Sequence, residues 1–195
     1  MKSFSEDAES NKSPILQVLL PILSDVNSVL EIGSGTGQHA VSFGAALSHL
    51  SWQTSELEQQ HASIQAWLDE SELTNVLSPI TLDVGKEWPE RCFDAVFSAN
   101  TAHIMSWPQV KLMYRVIGHV LLKNGLFVLY GPFNFAGKYT SSSNRRFDAW
   151  LKQKDPESGI RNFEDMNRMA GENQLLFEQE VSMPANNRIL IWRRR

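Results

Sequence analysis

The sequence predicts an α/β protein with a mostly parallel seven-stranded sheet, helices on both faces and a C-terminal antiparallel hairpin. Between residues 28 and 130, short apolar runs typical of strands alternate with segments whose apolar residues have helical spacing. Such alternation favours parallel strands covered by helices on both faces. The last two strand-like runs, 175–182 and 188–192, are joined by a segment too short for a crossover helix. They should therefore pair antiparallel.

The elements follow in a regular order from the first helix, which we expect to begin at Pro14 because proline suits a first helical turn. A Gly/Ser-rich loop is expected over 131–143. The other predicted strands are 28–32, 50–55, 78–82, 93–98 and 126–130, and the other predicted helices are 37–46, 58–70, 110–120, 144–153 and 163–172.

Length and composition limit the class of protein. With 195 residues, 42% of them hydrophobic, we expect one domain over residues 1–195, with 1–13 flexible or lid-like. No apolar run suits a membrane span, and the polar N-terminus does not predict a secretory signal. The lone Cys92 excludes an internal disulfide and fits a reducing compartment, so a cytoplasmic location is expected.

Charge and residue spacing indicate the kind of partner. A formal net charge of −4 gives no general attraction to nucleic acid, so we expect a small-molecule substrate and no membrane partner. The histidines lack the spacing of a zinc site, and no metal site is predicted. The sequence leaves the oligomeric state open.

A glycine-rich turn follows the first predicted strand, with Gly33, Gly35 and Gly37 before a helix. Glycines let the backbone turn tightly and let a ligand approach closely. The spacing and the missing lysine exclude a phosphate-binding P-loop. A dinucleotide site would place a glycine where Gln38 stands. This difference disfavours an NAD-dependent oxidoreductase, which stays open as an alternative. A tight turn that binds nothing is the simplest alternative.

An acidic residue closes the second predicted strand. Glu56 lies 21 residues beyond Gly35, and a carboxylate at that spacing can accept hydrogen bonds from both hydroxyls of a ribose. Glu58 is a rival, although it falls on the first helical turn. A solvated Glu56 is the alternative interpretation.

The ordered motifs resemble those of class I S-adenosylmethionine-dependent methyltransferases. The resemblance spans residues 28–130 and begins with Glu-x-Gly-x-Gly-x-Gly. It implies a Rossmann-like class I methyltransferase fold, with S-adenosyl-L-methionine as cofactor and S-adenosyl-L-homocysteine as product. Asp83 would face the adenine, although it could instead cap a turn. The implied cofactor contacts are Glu31, Gly33, Gly35, Gly37, Glu56, Asp83, Val84 and Asn100.

Further segments are similar to domain-of-unknown-function family 938, a group of methyltransferase-like proteins, over nearly the whole chain. This resemblance implies no acceptor. Asn11 and Lys12 could fold over the cofactor's carboxylate, or be an ordinary solvated pair. The segments that carry the resemblance to family 938 are Asn11–Leu16, Asn100–Met105, Gly131–Phe133, Tyr139–Asn144, Phe147–Asp148 and Met183–Asn187.

Candidate catalytic residues lie past the fourth strand and in the long loop: Asn100, His103 and Tyr139. His103 could take a proton from an acceptor oxygen or nitrogen, or be a satisfied histidine at a helix start. Residues 131–144 could close as a lid, or their serines could cap the next helix. We therefore expect in-line methyl transfer to an unidentified small molecule. A non-catalytic protein that binds the cofactor for regulation or interaction is the alternative.

Overall fold

The computed structural model describes residues 2–86 and 88–195. Its helices are α1 (Glu6–Ile22), α2 (Gln38–Ala46), α3 (His61–Ser71), α4 (Trp107–Val120), α5 (Ser142–Lys154) and α6 (Phe163–Glu172). Its strands are β1 (Ser28–Ile32), β2 (Ser51–Glu56), β3 (Val76–Thr81), β4 (Phe93–Ala99), β5 (Leu121–Gly131), β6 (Phe133–Asn134), β7 (Arg161–Asn162), β8 (Leu175–Ser182) and β9 (Arg188–Arg194). Two 3₁₀ turns, Glu58–Gln60 and Pro184–Asn186, complete the regular elements of this part of the chain.

Within the described residues, one seven-stranded sheet has the order β3-β2-β1-β4-β5-β9-β8. Strands β1 to β5 pair in parallel, whereas β9 pairs antiparallel with both β5 and β8. The predicted α/β sheet with its C-terminal hairpin is therefore confirmed. The last strand of the chain inserts between β5 and β8, so the hairpin extends the sheet through its second strand.

The sheet is covered on both faces, as expected. Helices α1, α2 and α3 contribute to the apolar cluster on one face, and α4 and α6 contribute to the cluster on the other. All five residues of β1 are buried, because this strand lies between β2 and β4 and beneath helices on both sides. Val29 packs into the first cluster and Leu30 into the second, as the alternation of side chains along a strand requires.

Helix α1 begins earlier than the sequence predicts. The expected start at Pro14 is wrong, because Ser5 caps the helix by accepting a hydrogen bond from the amide of Ala8. Acidic residues in the first turn also favour a helix N-terminus. Pro14 therefore lies inside the helix, where it costs one backbone hydrogen bond. Burial of Ile15 and Leu19 helps to offset that loss.

The expected loop over 131–143 contains a short strand and the start of a helix. Strand β6 pairs in parallel with β7. Helix α5 begins at Ser142, because the Ser141 hydroxyl accepts a hydrogen bond from the amide of Asn144. This contact matches the capping alternative for that serine. No helix in residues 2–86 or 88–195 has both the length and the apolar character required to cross a bilayer.

Two helical glycines offer a test of the packing between α4 and the end of α6. A Cβ at Gly118 would lie 2.6 Å from the backbone oxygen of Asn173, whereas one at Gly171 would meet no atom within 4 Å. We expect Gly118→Ala to lower the free energy of unfolding by about 1–3 kcal/mol through overpacking. Gly171→Ala should raise it by up to about 1 kcal/mol. Urea denaturation measures both, and equal stabilities would contradict the packing.

Candidate functional site

A cleft of about 730 Å³ runs along the carboxyl ends of the parallel strands. Glu56 ends β2, Gly33 follows β1, Asn100 follows β4 and Pro132 follows β5, and all four residues line the cleft. The strand order reverses between β1 and β4, and open α/β sheets bind ligands at such a point. The predicted residues Gly33, Gly35, Glu56 and Asn100 are therefore brought together.

The floor of the cleft is the backbone turn after β1. The amides of Gly33 and Ser34 both donate to the carbonyl oxygen of Ser55, at 3.1 and 2.9 Å. Gly33 and Gly35 have φ angles of 73° and 55°. A Cβ on Gly33 would lie 2.5 Å from Cγ2 of Thr101, so no larger residue fits there. Gly35 faces open space instead, and a ligand can approach its backbone directly.

Glu56 joins the turn to the second strand. Its Oε2 accepts from the amide of Gly35 at 3.0 Å, and its Oε1 accepts from the amide of Leu57 at 2.8 Å. A carboxylate offers about four acceptor positions, so about two remain. Because Glu56 lines the cleft, these positions are available to hydroxyl groups of a ligand.

Glu31 lies behind the turn and is only 1% exposed. Its Oε2 accepts from the Ser34 hydroxyl at 2.8 Å and from the Trp52 indole at 3.0 Å. Burial raises the pKa of this carboxyl to about 7, although both hydrogen bonds oppose the shift. Glu31 is not among the residues that line the cleft. Its contacts support the turn from behind.

Gly37 and Gln38 connect the turn to the helices. Gly37 has a φ of 98° at the start of α2, and a Cβ there would lie 3.0 Å from Cα of Ile64. The Oε1 of Gln38 accepts from the amide of Ser5 at 2.6 Å and from the Thr36 hydroxyl at 3.0 Å. Gln38, which stands where a dinucleotide site has glycine, thus links the start of α1 to the turn through hydrogen bonds.

Helix α1 forms one wall of the cleft. Oδ1 of Asn11 lies 2.6 Å from Nε2 of His39, and both residues line the cleft. Burial lowers the pKa of His39 to about 4, so its ring is neutral at pH 7. Lys12 pairs with Glu9 and is not among the lining residues. Asn11 therefore reaches the predicted site, and Lys12 does not.

Asn100 and His103 both lie near Gly131. Nδ1 of His103 would lie 3.7 Å from a Cβ on Gly131, and Oδ1 of Asn100 would lie 4.0 Å from it. Asn100 has a φ of 59°, and its amide donates to the carbonyl of Tyr130 at 2.9 Å. His103 is 6% exposed, and its ring meets Phe147 edge-on at 5.3 Å. Both predicted residues line the cleft.

Burial and the charge of Arg161 lower the pKa of His103 to about 4. The Arg161 guanidinium donates to the carbonyl of Ala102 at 3.0 Å and also to that of Met105. It therefore holds the segment that carries His103 while keeping its charge beside a neutral ring. Sequence reasoning missed Arg161, because these contacts join residues almost 60 positions apart.

Besides Glu31, Gly37 and Lys12, three further predicted residues lie away from the cleft lining. The Tyr139 hydroxyl donates to Asp148 at 2.7 Å, and this bond raises the pKa of the tyrosine. Asp83 accepts from the amide of Gly85 at 3.0 Å, which matches the turn-capping alternative. Val84 belongs to an apolar cluster. Their roles in catalysis and cofactor binding stay predictions.

The wall of the cleft also contains residues that the sequence did not single out. The Asn187 amide donates to the Tyr130 hydroxyl at 2.9 Å, and both side chains line the cleft. Ala185 and Asn186, at the same wall, have φ angles of 56° and 60°. Non-glycine residues with positive φ tend to cluster at functional sites. The only sequence signal was the Pro-Ala-Asn-Asn turn, which the family resemblance includes.

Among residues 2–86 and 88–195, no group of three or more His, Cys, Asp and Glu side chains is placed to hold a metal ion.

The sheet order and the glycine turn after β1 define a Rossmann-like class I methyltransferase fold, as predicted. The chain belongs to a family described as "Protein of unknown function (DUF938)", whose profile matches residues 2–194.

Solved structures of methyltransferases have the same fold. An O-methyltransferase family protein from Burkholderia thailandensis is similar over 94% of this chain and 56% of its own, with a TM-score of 0.84 and 12% identity. Mitomycin 7-O-methyltransferase MmcR covers 95% of this chain and 54% of its own, with a TM-score of 0.82 and 16% identity. Human N-acetylserotonin methyltransferase, solved with SAM, is similar over 97% of this chain and 53% of its own, with a TM-score of 0.81 and 14% identity. The chain thus spans little more than half the length of these proteins.

The raised pKa of Glu31 predicts a pH-dependent stability. A buried carboxyl with a pKa of about 7 contributes stability below its ordinary pKa of 4.5, and the contribution is lost as the pH rises through 7. Glu31→Gln mimics the protonated acid and keeps an oxygen for Ser34 and Trp52. Relative to the wild type, its free energy of unfolding should be similar at pH 4.5 and about 3 kcal/mol higher at pH 8.

Urea denaturation of both proteins between pH 4.5 and 8 measures this difference, and the comparison cancels the titration of the histidines. A constant difference across that range would mean that Glu31 is ionised in the folded protein.

Proposed function

We propose that this protein is an S-adenosylmethionine-dependent methyltransferase that acts on a small-molecule acceptor. The observation that carries the proposal is the Glu56 carboxylate, which has free acceptor positions beside the open backbone face of Gly35. A nucleoside presents two vicinal hydroxyls that such a carboxylate can bind together. The similar human N-acetylserotonin methyltransferase, which was solved with SAM, supports the same cofactor.

The residues present fit the cofactor. Gly35 leaves space that a side chain would fill, and the turn of Gly33 brings backbone into the cleft. Glu56 would hold the ribose. Asn11 and Asn100 offer amide groups to polar parts of the same ligand. Bound there, S-adenosylmethionine would supply a methyl group activated by its sulfonium, which becomes the thioether of S-adenosylhomocysteine after transfer.

The chain's own task is to position the acceptor and to remove its proton. The neutral ring of His103 can accept that proton, because burial and Arg161 keep it unprotonated at pH 7. Asn100 lies beside it and can orient the acceptor through its amide. Helix α1 and the turn before β9 narrow the cleft and help to exclude water. An oxygen acceptor is favoured by the name of the 7-O-methyltransferase among the similar structures.

Two other functions make different predictions. A non-catalytic regulatory protein would bind S-adenosylmethionine and S-adenosylhomocysteine but transfer no labelled methyl group. An NAD-dependent oxidoreductase would prefer NAD in calorimetry. Gln38 disfavours the oxidoreductase, because it stands where a dinucleotide site requires glycine and its side chain is engaged with Ser5 and Thr36. A cytoplasmic location is part of our proposal and is supported by the exposed free thiol of Cys92.

The ribose assignment predicts a loss of cofactor affinity in Glu56→Gln. Removing the charged acceptor should raise the Kd for S-adenosylhomocysteine by about 10–100-fold, because hydrogen bonds to charged groups are the stronger ones. Glu58→Gln changes the neighbouring carboxylate on the 3₁₀ turn and should leave the Kd unchanged. Isothermal calorimetry compares the variants, and equal losses in both would refute the assignment.

The proton-acceptor role predicts a loss of turnover in His103→Gln. With an acceptor found by screening metabolite fractions for labelled methyl transfer, kcat should fall by about 100-fold or more. The Kd for S-adenosylhomocysteine should not change. Because the pKa of His103 is about 4, wild-type kcat/KM should not fall between pH 7 and pH 5. Unchanged kcat in the variant would exclude the role.

A further inference from the structure

We infer that the acceptor is an uncharged aromatic compound with a ring hydroxyl, and that Phe147 determines this specificity by packing against the ring. The inference rests on the proposed function, and it concerns the end of the cleft over β4 and β5. His103, Ile104, Pro132 and Phe147 line this end.

The charges around the cleft disfavour an anionic acceptor. Among the described residues that line it, only Asp7 and Glu56 carry formal charge at pH 7, because the burial-depressed pKa values keep both histidines neutral. Two cations near the cleft are engaged elsewhere: Lys12 pairs with Glu9, and Arg161 donates to backbone carbonyls. A carboxylate or phosphate on the acceptor would therefore lose water without gaining a cation from the residues that line the cleft.

The apolar surface at this end suits a flat ring. Phe147 is half-buried and stacks on Trp150, with ring centroids 5.7 Å apart and planes at 20°. Ile104 is 56% exposed and lies next to His103 in the chain. Large apolar side chains are seldom left so exposed in clusters unless something covers them. Aromatic rings pair favourably with one another in offset or edge-on arrangements.

The His103 ring favours an acceptor that carries a hydroxyl group. The ring is 6% exposed and lines the cleft, and burial together with the charge of Arg161 lowers its pKa and keeps it neutral. A neutral imidazole nitrogen at the cleft can accept a hydrogen bond from a hydroxyl donor on the acceptor. A weakly basic imidazole takes a proton far more readily from a phenol, whose pKa is about 10, than from an aliphatic alcohol.

Binding of model phenols tests the inference without knowledge of the natural acceptor. The probes are 2-naphthol and its anionic counterpart 6-hydroxy-2-naphthoate, titrated by calorimetry into protein saturated with S-adenosylhomocysteine. We expect 2-naphthol to bind at least about tenfold more tightly than the naphthoate. Phe147→Ala should weaken 2-naphthol binding by about tenfold, and Phe147→Tyr should restore most of it.

Phe177→Ala is the matched control, because Phe177 is a partly exposed phenylalanine on strand β8 that is not among the cleft-lining residues. It should leave the affinity for 2-naphthol unchanged. The Kd for S-adenosylhomocysteine should be the same in all these variants, which also shows that they fold.

The outcomes separate the two proposals. Absence of 2-naphthol binding, equal affinity for the two probes, or an unchanged affinity in Phe147→Ala would overturn the inference, even if S-adenosylhomocysteine binds. If S-adenosylhomocysteine does not bind, the cofactor proposal fails. The same titrations without it then support or overturn the aromatic specificity by the same criteria.

Discussion

The backbone turn at Gly33–Gly35 is the constraint on which the rest of the site depends. The carbonyl oxygen of Ser55 accepts hydrogen bonds from two successive amides of the turn, and the Glu56 carboxylate accepts one from a third. The turn can take this shape only because two glycines adopt positive φ, and a side chain at Gly33 would collide with Thr101. Strands β1, β2 and β4 are thereby held at their carboxyl ends, and the cleft opens above them.

Burial then decides the charge of each group around the cleft. It raises the pKa of Glu31 behind the turn and lowers the pKa of His39 and His103 at the walls. Loss of solvation penalises the charged form of any buried group, so the pKa of a buried acid rises and the pKa of a buried base falls. The result is a pocket with two acidic side chains, Asp7 and Glu56, and with neutral nitrogens that can accept protons or hydrogen bonds.

The fold was predictable because its signals are local. Apolar runs of strand length, glycines after the first run and a short final connection suffice to predict a parallel sheet with an antiparallel hairpin. Pro14 wrongly indicated a later start for α1: the helix begins at the Ser5 cap, and contacts from Gln38 and His39 hold the turns that precede Pro14. Similarly, Tyr139 was expected in the site, yet its hydroxyl bonds Asp148, a partner that only helix α5 brings within reach.

The sequence by itself determined the elements, the glycine turn and the acidic residue at the end of β2, because spacing along the chain encodes each of them. Only the tertiary structure decided which side chains share the cleft. His39 comes from α2, Tyr130 from β5, Phe147 from α5 and Asn187 from the segment just before β9. They come together only because the helices and the last hairpin pack on the sheet. Long-range packing also sets the burial of His103, and burial keeps its ring neutral.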